Sequence, residues 1–129
     1  MKFGGKVVLV TGASRGIGAA IAQAFASEGA TVLVNHLSND AAAASVVANC
    51  KAAGGDAWAV KADVNSGAAV QAMVEQALDE AGHIDVVVNN AFRPYSFDPQ
   101  RRTLFGDMAW QDYQAQFDGA VGGAYNICR

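Results

Sequence analysis

Three glycines near the amino terminus have the spacing of a diphosphate-binding turn. Residues 11–18 read Thr-Gly-Ala-Ser-Arg-Gly-Ile-Gly and lie between an apolar β-branched run at 7–10 and a segment of helical periodicity. Gly12 would permit a tight turn, Gly16 would clear room for a pyrophosphate, and Gly18 would let the helix pack closely. The helix N-terminus would direct free N–H groups and its dipole at the anion.

The sequence of this turn allows two other interpretations. A glycine-rich turn with no ligand is the first. A phosphate-binding P-loop is the second, and it is excluded because no Gly-Lys-Ser/Thr follows the turn. The strand before the turn and the helix after it favour a dinucleotide.

The segment after the next apolar run indicates which dinucleotide. A fold specific for NAD usually places Asp or Glu here, about 20 residues beyond the glycines, to hold the ribose hydroxyls. Residues 35–39 read Asn-His-Leu-Ser-Asn, with no carboxylate to repel a 2′-phosphate, and Arg15 supplies a nearby cation. The pattern favours NADP(H) over NAD(H), with His36 and Ser38 as candidate contacts. Ordinary loop and cap residues are the alternative.

Two further candidates follow predicted strands. Asp63 comes directly after the third apolar run, and Asn-Asn-Ala at 89–91 ends the fourth. The carboxyl ends of parallel strands meet at the crevice where the strand order reverses. The Asp63 carboxylate could therefore accept a hydrogen bond from the adenine amino group, or it could simply cap a turn. Asn90 and Ala91 are small enough to approach the cofactor ribose.

The elements that position these residues alternate along the chain. Short strands are predicted at 7–10, 31–34, 57–60 and 84–88, with helices after the glycine turn, over 41–53, between Ser66 and Gly82, and from about Met108 to the end. A cap at Ser38, Asn39 or Asp40 would start the second helix, and 92–107 is predicted as a surface loop. This rhythm predicts an α/β fold, a Rossmann-type doubly wound parallel sheet of order 3-2-1-4 in a single partial domain over 1–129.

Composition narrows the functional classes. Hydrophobic residues make up 52% of the 129 and charged residues 16%, with a net charge of −3. These values exclude a disordered chain and give nucleic acid no basic surface to bind. No apolar run reaches the roughly 18 residues that span a bilayer, and no signal-peptide pattern precedes the first strand, so we expect a cytoplasmic protein without a membrane partner. Cys50 and Cys128 are predicted to be buried or half-buried thiols, with no disulfide framework or metal site.

In order, these motifs resemble the short-chain dehydrogenase/reductase family, and in particular its 3-oxoacyl-[acyl-carrier-protein] reductase type. The matching text is Thr-Gly-Ala-Ser-Arg-Gly-Ile-Gly at 11–18, Asp63-Val64, and Asn-Asn-Ala at 89–91. The resemblance implies hydride transfer between a nicotinamide cofactor and a small carbonyl or alcohol substrate, or an acyl-carrier-protein thioester. It places Asp63 and Val64 at the adenine and Asn90 and Ala91 at the ribose. From the glycine turn it implies cofactor contacts by Gly12, Ser14, Arg15, Ile17 and Gly18.

The sequence departs from the family in three places. Family members are longer, and their catalytic Ser and Tyr-x-x-x-Lys lie beyond the part that this chain matches; no tyrosine here is followed by lysine four residues later. Ala120 stands where the family has an asparagine, and Phe92 replaces the glycine after Asn-Asn-Ala. The resemblance therefore implies a chain that stops before the fifth strand, holds no catalytic residues and has little or no turnover alone.

Two functions remain open at this point. One is the cofactor-binding half of a working reductase, and the other is a non-catalytic dinucleotide-binding or interaction module. The predicted strand at 84–88 would form an uncovered sheet edge, and aromatic residues recur along the last helix. Both features favour association, most simply as a homo-oligomer.

Overall fold

The computed structural model describes residues 1–92, 98–100 and 103–129. Its strands are β1 (Val7–Val10), β2 (Thr31–His36), β3 (Asp56–Lys61) and β4 (Val86–Val88). Its α-helices are α1 (Gly16–Ser27), α2 (Asp40–Ala52), α3 (Gly67–Ala81), α4 (Trp110–Phe117) and α5 (Gly123–Cys128). A 3₁₀ turn at Phe105–Asp107 precedes α4, and a π-helical turn at Asp118–Gly122 separates α4 from α5.

The described strands form one parallel sheet in the order β3-β2-β1-β4. This confirms the predicted fold class and strand order. Successive residues of β1 point to opposite faces, and all four are buried. Val8 and Val10 pack in the cluster that includes residues of α1 and α2, whereas Val7 and Leu9 pack with Met73 and Ala77 of α3. Helices therefore cover both faces, which explains the continuous apolar run in the sequence.

Side chains define where two of the helices begin. The Asn39 carboxamide accepts from the Ala42 N–H at 2.9 Å, so Asn39 is the cap among the three residues considered for α2. The Ser66 hydroxyl accepts from the Ala69 N–H at 3.2 Å and starts α3, as predicted. Gly82 ends α3 by donating its N–H to the Leu78 carbonyl at 2.8 Å.

Two strand boundaries differ from the prediction by two residues, whereas β3 is longer than predicted by one residue at each end. β2 continues to His36, two residues beyond its predicted end, because Asn35 and His36 pair with Val60 and Lys61 of β3. β4 begins at Val86 rather than at residue 84. There the Asp85 carboxylate accepts from the Val7 N–H at 2.8 Å. A side chain thus bonds to the main-chain donor just before the pairing of β1 with β4 begins.

The carboxyl-terminal segment is interrupted where one continuous helix was predicted. A Cβ on Gly123 would lie 2.7 Å from Cγ2 of Val64, so the absence of a side chain lets α5 approach the end of β3. This close packing explains a glycine that would otherwise only weaken a helix by about 1 kcal/mol. Within the predicted loop at 92–107, residues 93–97 and 101–102 lie outside the described residues.

The two cysteines differ in environment. Cys50 is buried within α2, and this burial raises the pKa of its thiol. Cys128 is exposed, so the prediction of a buried or half-buried thiol is wrong there: α5 lies at the surface and turns that residue outward. In the parts of the chain that the structure describes, no helix is long and apolar enough to cross a membrane.

Candidate functional site

A cleft of about 1120 Å³ lies at the carboxyl ends of the strands, beside the start of α1. The structure brings nearly all of the predicted site residues together there. Gly18 is the exception, because it lies buried behind the cleft wall. The predicted residues that line the cleft are Gly12, Ser14, Arg15, Gly16, Ile17, His36, Ser38, Asp63, Val64, Asn90 and Ala91.

The glycine turn has a backbone that side chains would obstruct. Gly12 and Gly16 have φ angles of +60° and +58°, in the left-handed region that glycine adopts without strain. A Cβ on Gly16 would meet nothing within 4 Å, so the space beside it opens to the cleft. A Cβ on Gly18 would lie 2.5 Å from the Gly12 carbonyl oxygen and 2.6 Å from Nδ2 of Asn90. Gly18 therefore lets α1 pack against the turn itself.

The first turn of α1 presents main-chain donors to this space. The helix begins at Gly16, and the N–H of Ala19 donates to the Arg15 carbonyl at 3.2 Å. The N–H groups of Gly16, Ile17 and Gly18 precede that bond and so stand ahead of the helical hydrogen-bond ladder. Together with the helix dipole they form a suitable environment for an anion.

Asn35 holds the glycine turn in place, a role that sequence reasoning missed. Its side chain is 2% exposed. The carboxamide oxygen accepts from the Gly12 N–H at 3.1 Å, and the Asn35 carbonyl accepts from the Ala13 N–H at 2.8 Å. Its Nδ2 donates to the carbonyls of Val60 and Ala62, both at 3.2 Å. One buried side chain thus joins the glycine turn to the end of β3. The available signal was an amide residue directly after an apolar strand run.

Asn90 secures the other side of the turn. Its Nδ2 donates to the carbonyls of Thr11 and Gly12 at 3.1 and 3.2 Å. The Thr11 hydroxyl accepts from the N–H groups of Asn90 and Ala91 at 3.0 and 2.9 Å. The end of β4 is therefore bonded to the turn after β1, and the Asn90 side chain directs its amide nitrogen to the protein rather than to the cleft.

At the end of β2, His36 lines the cleft and lies next to two charged residues. His36 is 5% exposed, and its Nε2 lies 2.8 Å from an oxygen of Asp40. Lys61 Nζ lies 3.3 Å from the same oxygen. The hydrogen bond from His36, followed by the contact with Lys61, holds the pKa of Asp40 below its ordinary value. Residues 35–39 hold no carboxylate, but Asp40 brings one to this segment. The expectation that no carboxylate stands at the end of β2 is therefore wrong, because α2 starts directly beside that end and carries Asp40 to it.

The third wall is formed by the end of β3 and the carboxyl-terminal helices. Asp63 is exposed, and its Oδ1 accepts from the Asn65 N–H at 2.9 Å, so one carboxylate oxygen serves the turn. The buried Val64 offers its carbonyl to Nδ2 of Asn126 at 2.9 Å, which ties α5 to the cleft. Ala120 is exposed and stands outside the cleft lining. The lining residues from this segment are Ala115, Asp118, Gly119 and Gly122.

Comparison with known proteins gives this arrangement a family. The family model described as short chain dehydrogenase matches residues 6–129. The chain belongs to the short chain dehydrogenase family. An uncharacterized oxidoreductase of Methylorubrum extorquens is 52% identical over 90 residues, which cover 70% of this chain and 36% of that protein. A 3-oxoacyl-[acyl-carrier-protein] reductase of Synechocystis is 42% identical over 120 residues, which cover 93% of this chain and 46% of that protein.

Solved structures of short-chain dehydrogenase/reductases have the same fold as this chain. A dehydrogenase/reductase from Sinorhizobium meliloti superposes with a TM-score of 0.87 at 30% identity, over 98% of this chain and 48% of that one. This short chain dehydrogenase sequence thus spans about half the length or less of the relatives and structures that it matches. The family binds a nicotinamide dinucleotide. Among residues 1–92, 98–100 and 103–129, no group of three or more His, Cys, Asp or Glu side chains could hold a metal ion.

Proposed function

We propose that this chain is the cofactor-binding half of an oxidoreductase and holds NADP(H) in the cleft at the carboxyl ends of β1–β4. The observation that carries the proposal is the glycine turn, where the amides of Gly16, Ile17 and Gly18 stand ahead of the helical ladder beside open space. A diphosphate matches these donors in charge and in hydrogen bonding.

The remaining contacts follow from the lining of the cleft. We assign the diphosphate to the glycine turn, with Ser14 and the exposed Ile17 at its edge. Asp63 and Val64 would meet the adenine, and Asn90 and Ala91 the nicotinamide-side ribose. His36 and Ser38 would lie beside the adenosine ribose, where β2 ends.

Charge favours the phosphorylated cofactor. Arg15 is exposed at the cleft, and Lys61 stands at the end of β3. The Asp40 carboxylate would repel a 2′-phosphate, but its hydrogen bond from His36 and its ion pair with Lys61 offset that charge. The cationic Arg15 then remains to receive the phosphate.

The bound nicotinamide would supply or accept hydride, while the residues of this chain bind and orient it. We propose carbonyl reduction or alcohol oxidation as the reaction class, on small substrates or an acyl-carrier-protein thioester. The Synechocystis relative, named as a 3-oxoacyl-[acyl-carrier-protein] reductase, supports this class. None of the three tyrosines is followed by lysine four residues later. We therefore expect the 129-residue chain alone to bind cofactor without turnover.

Titration with NADPH and with NADH, followed by nicotinamide fluorescence, tests the proposal. We expect both to bind and NADPH to bind more tightly. Arg15→Ala should weaken NADPH binding by about tenfold, the order of one charge-assisted hydrogen bond at an exposed site, and should change NADH binding much less. Lys51→Ala, which removes an exposed cation at the far end of α2, is the matched control. Tighter binding of NADH would overturn the cofactor preference, and binding of neither would overturn the function.

A further inference from the structure

The His36 ring has two nitrogens in different situations. Nε2 is hydrogen-bonded to Asp40 at 2.8 Å. Nδ1 is buried and has no hydrogen-bond partner among the residues that the structure describes. The ring is nine-tenths or more buried, yet the residue contributes to the wall of the cleft. His36 therefore lines the cleft while one of its ring nitrogens has no hydrogen bond.

The contact with Asp40 determines which nitrogen carries a proton. An ionised carboxylate only accepts hydrogen bonds, so Nε2 must be the donor. Asp40 stays ionised because the hydrogen bond from His36 and the contact with Lys61 lower the pKa of Asp40. In the neutral ring Nδ1 then bears a lone pair, and in the charged ring it bears a second N–H. Protonation of His36 therefore changes Nδ1 while leaving the Asp40 bond intact.

The charged groups around the ring are nearly balanced. Asp40 of α2 and Lys61 of β3 stand next to it, while Arg15 of the glycine turn, Asp63 of the β3–α3 turn and Asp118 of the π-helical turn line the same cleft. The formal charges of these five groups sum to −1. A proton on His36 would bring this sum to zero, so a phosphate bound in the cleft would meet less repulsion. The extra N–H of the charged ring has no acceptor among the described atoms, and an anion bound in the cleft would offset the charge that the proton adds.

We propose that His36 makes the choice between phosphorylated and unphosphorylated cofactor depend on a proton. A 2′-phosphate binds together with a proton on His36, whereas a free 2′-hydroxyl binds without one. This inference rests on the proposed function, because it assumes that the adenosine ribose lies at the end of β2. Because the 2′-phosphate binds together with a proton, the preference for the phosphorylated cofactor falls as pH rises.

The adenosine halves of the two cofactors isolate this effect. Titration calorimetry with 2′,5′-ADP and with 5′-AMP, in two buffers of different ionisation enthalpy, counts the protons that accompany binding. Between pH 7 and 8.5 the 2′-phosphate is already almost fully ionised, because the second pKa of a phosphate monoester is about 6. We expect uptake of up to one proton with 2′,5′-ADP and none with 5′-AMP. The affinity for 2′,5′-ADP should fall by up to tenfold per pH unit, and the affinity for 5′-AMP should stay constant.

Variants of the two histidines in the chain assign the proton. His36→Gln should abolish the proton uptake and should weaken 2′,5′-ADP at pH 7 more than it weakens 5′-AMP. His83→Gln is the matched control: His83 is exposed, contacts Asp85 and lies outside the cleft lining, so the uptake should persist. The proton count on the unaltered chain tests the proposal even if a variant does not fold.

The outcomes separate the two proposals. If neither adenosine ligand binds, the proposed function fails and this inference fails with it. If both bind and 2′,5′-ADP takes up no proton, only the inference is overturned. Uptake that persists in His36→Gln would also overturn it, because another group would then carry the proton.

Discussion

The two ends of the cleft are built from different parts of the chain. At the glycine turn the donors belong to the main chain, and the nearby side chains of Asn35 and Asn90 bond to the protein. At the end of β2 the His36 side chain lines the cleft and forms one hydrogen-bonded group with Asp40 and Lys61, which lie outside the lining. Under the proposed function, the first end would suit any diphosphate, while the second would distinguish one ribose from another. Variants at the first should change all nucleotide binding, and variants at the second should change discrimination.

Asn35→Leu should have the largest effect, because Asn35 joins the two ends. The substitution leaves the Gly12 N–H and the carbonyls of Val60 and Ala62 without this buried partner. We expect a loss of about 2–4 kcal/mol in the free energy of unfolding, measured by urea denaturation. NADPH and NADH should weaken together. Asn49→Leu, at an exposed position on α2, should stay within about 0.5 kcal/mol of the unaltered chain. Equal effects of the two variants would contradict the role of Asn35.

Gly18→Ala should have an intermediate effect confined to the glycine turn. Its methyl group would meet the Gly12 carbonyl oxygen at 2.5 Å and Cα of Ala13 at 3.0 Å, both main-chain atoms. Overpacking of this kind costs about 1–3 kcal/mol, and displacement of the turn should weaken both cofactors to a similar extent. Gly67→Ala is the matched control, since Gly67 also lies in the first turn of a helix and its Cβ would contact nothing closer than 3.6 Å. If Gly18→Ala weakened the binding of NADPH and left the binding of NADH unchanged, the proposed difference between the two ends of the cleft would be contradicted.

Asp40→Asn should have the smallest effect on stability, and that effect should depend on pH. Because the pKa of Asp40 is lowered in the folded chain, its contribution is present above the ordinary value of about 3.9. It is lost as pH falls through the lowered folded-state value. The variant should therefore be less stable than the unaltered chain above about pH 4, and the two should converge in acid. Thermal unfolding from pH 3 to 7 measures this, with the exposed Asp79→Asn on α3 as control. A gap that does not close in acid would contradict the assignment.

The sequence predicted the parts of the fold that depend on local pattern. The strand order follows from alternating apolar runs and helical periodicity, and the glycine turn follows from positions where a Cβ or a negative φ would not fit. The Ser66 cap was also predictable, because a hydroxyl that bonds three residues ahead is a short-range device.

The parts that sequence reasoning missed depend on neighbours distant along the chain. Asn35 and His36 have loop-forming or polar character, yet pairing with β3 extends β2 through both. The His36–Asp40 contact crosses from a strand end to a helix start, so helical spacing does not predict it. Lys61 joins them only through the register of β2 against β3. The apolar residues exposed on α4, such as Trp110 and Phe117, fit the predicted association, which stays a prediction.

The orientation of α5 depends on the number of residues in the π-helical turn at Asp118–Gly122. A π turn holds more residues than an α turn, and each residue of an α-helix rotates the next by about 100°. Removing one residue from 118–122 would swing Asn126 away from the Val64 carbonyl and bring Ala124, in place of Gly123, to the crowded contact with Val64. The number of residues there, more than their identity, sets the face that α5 turns toward Val64.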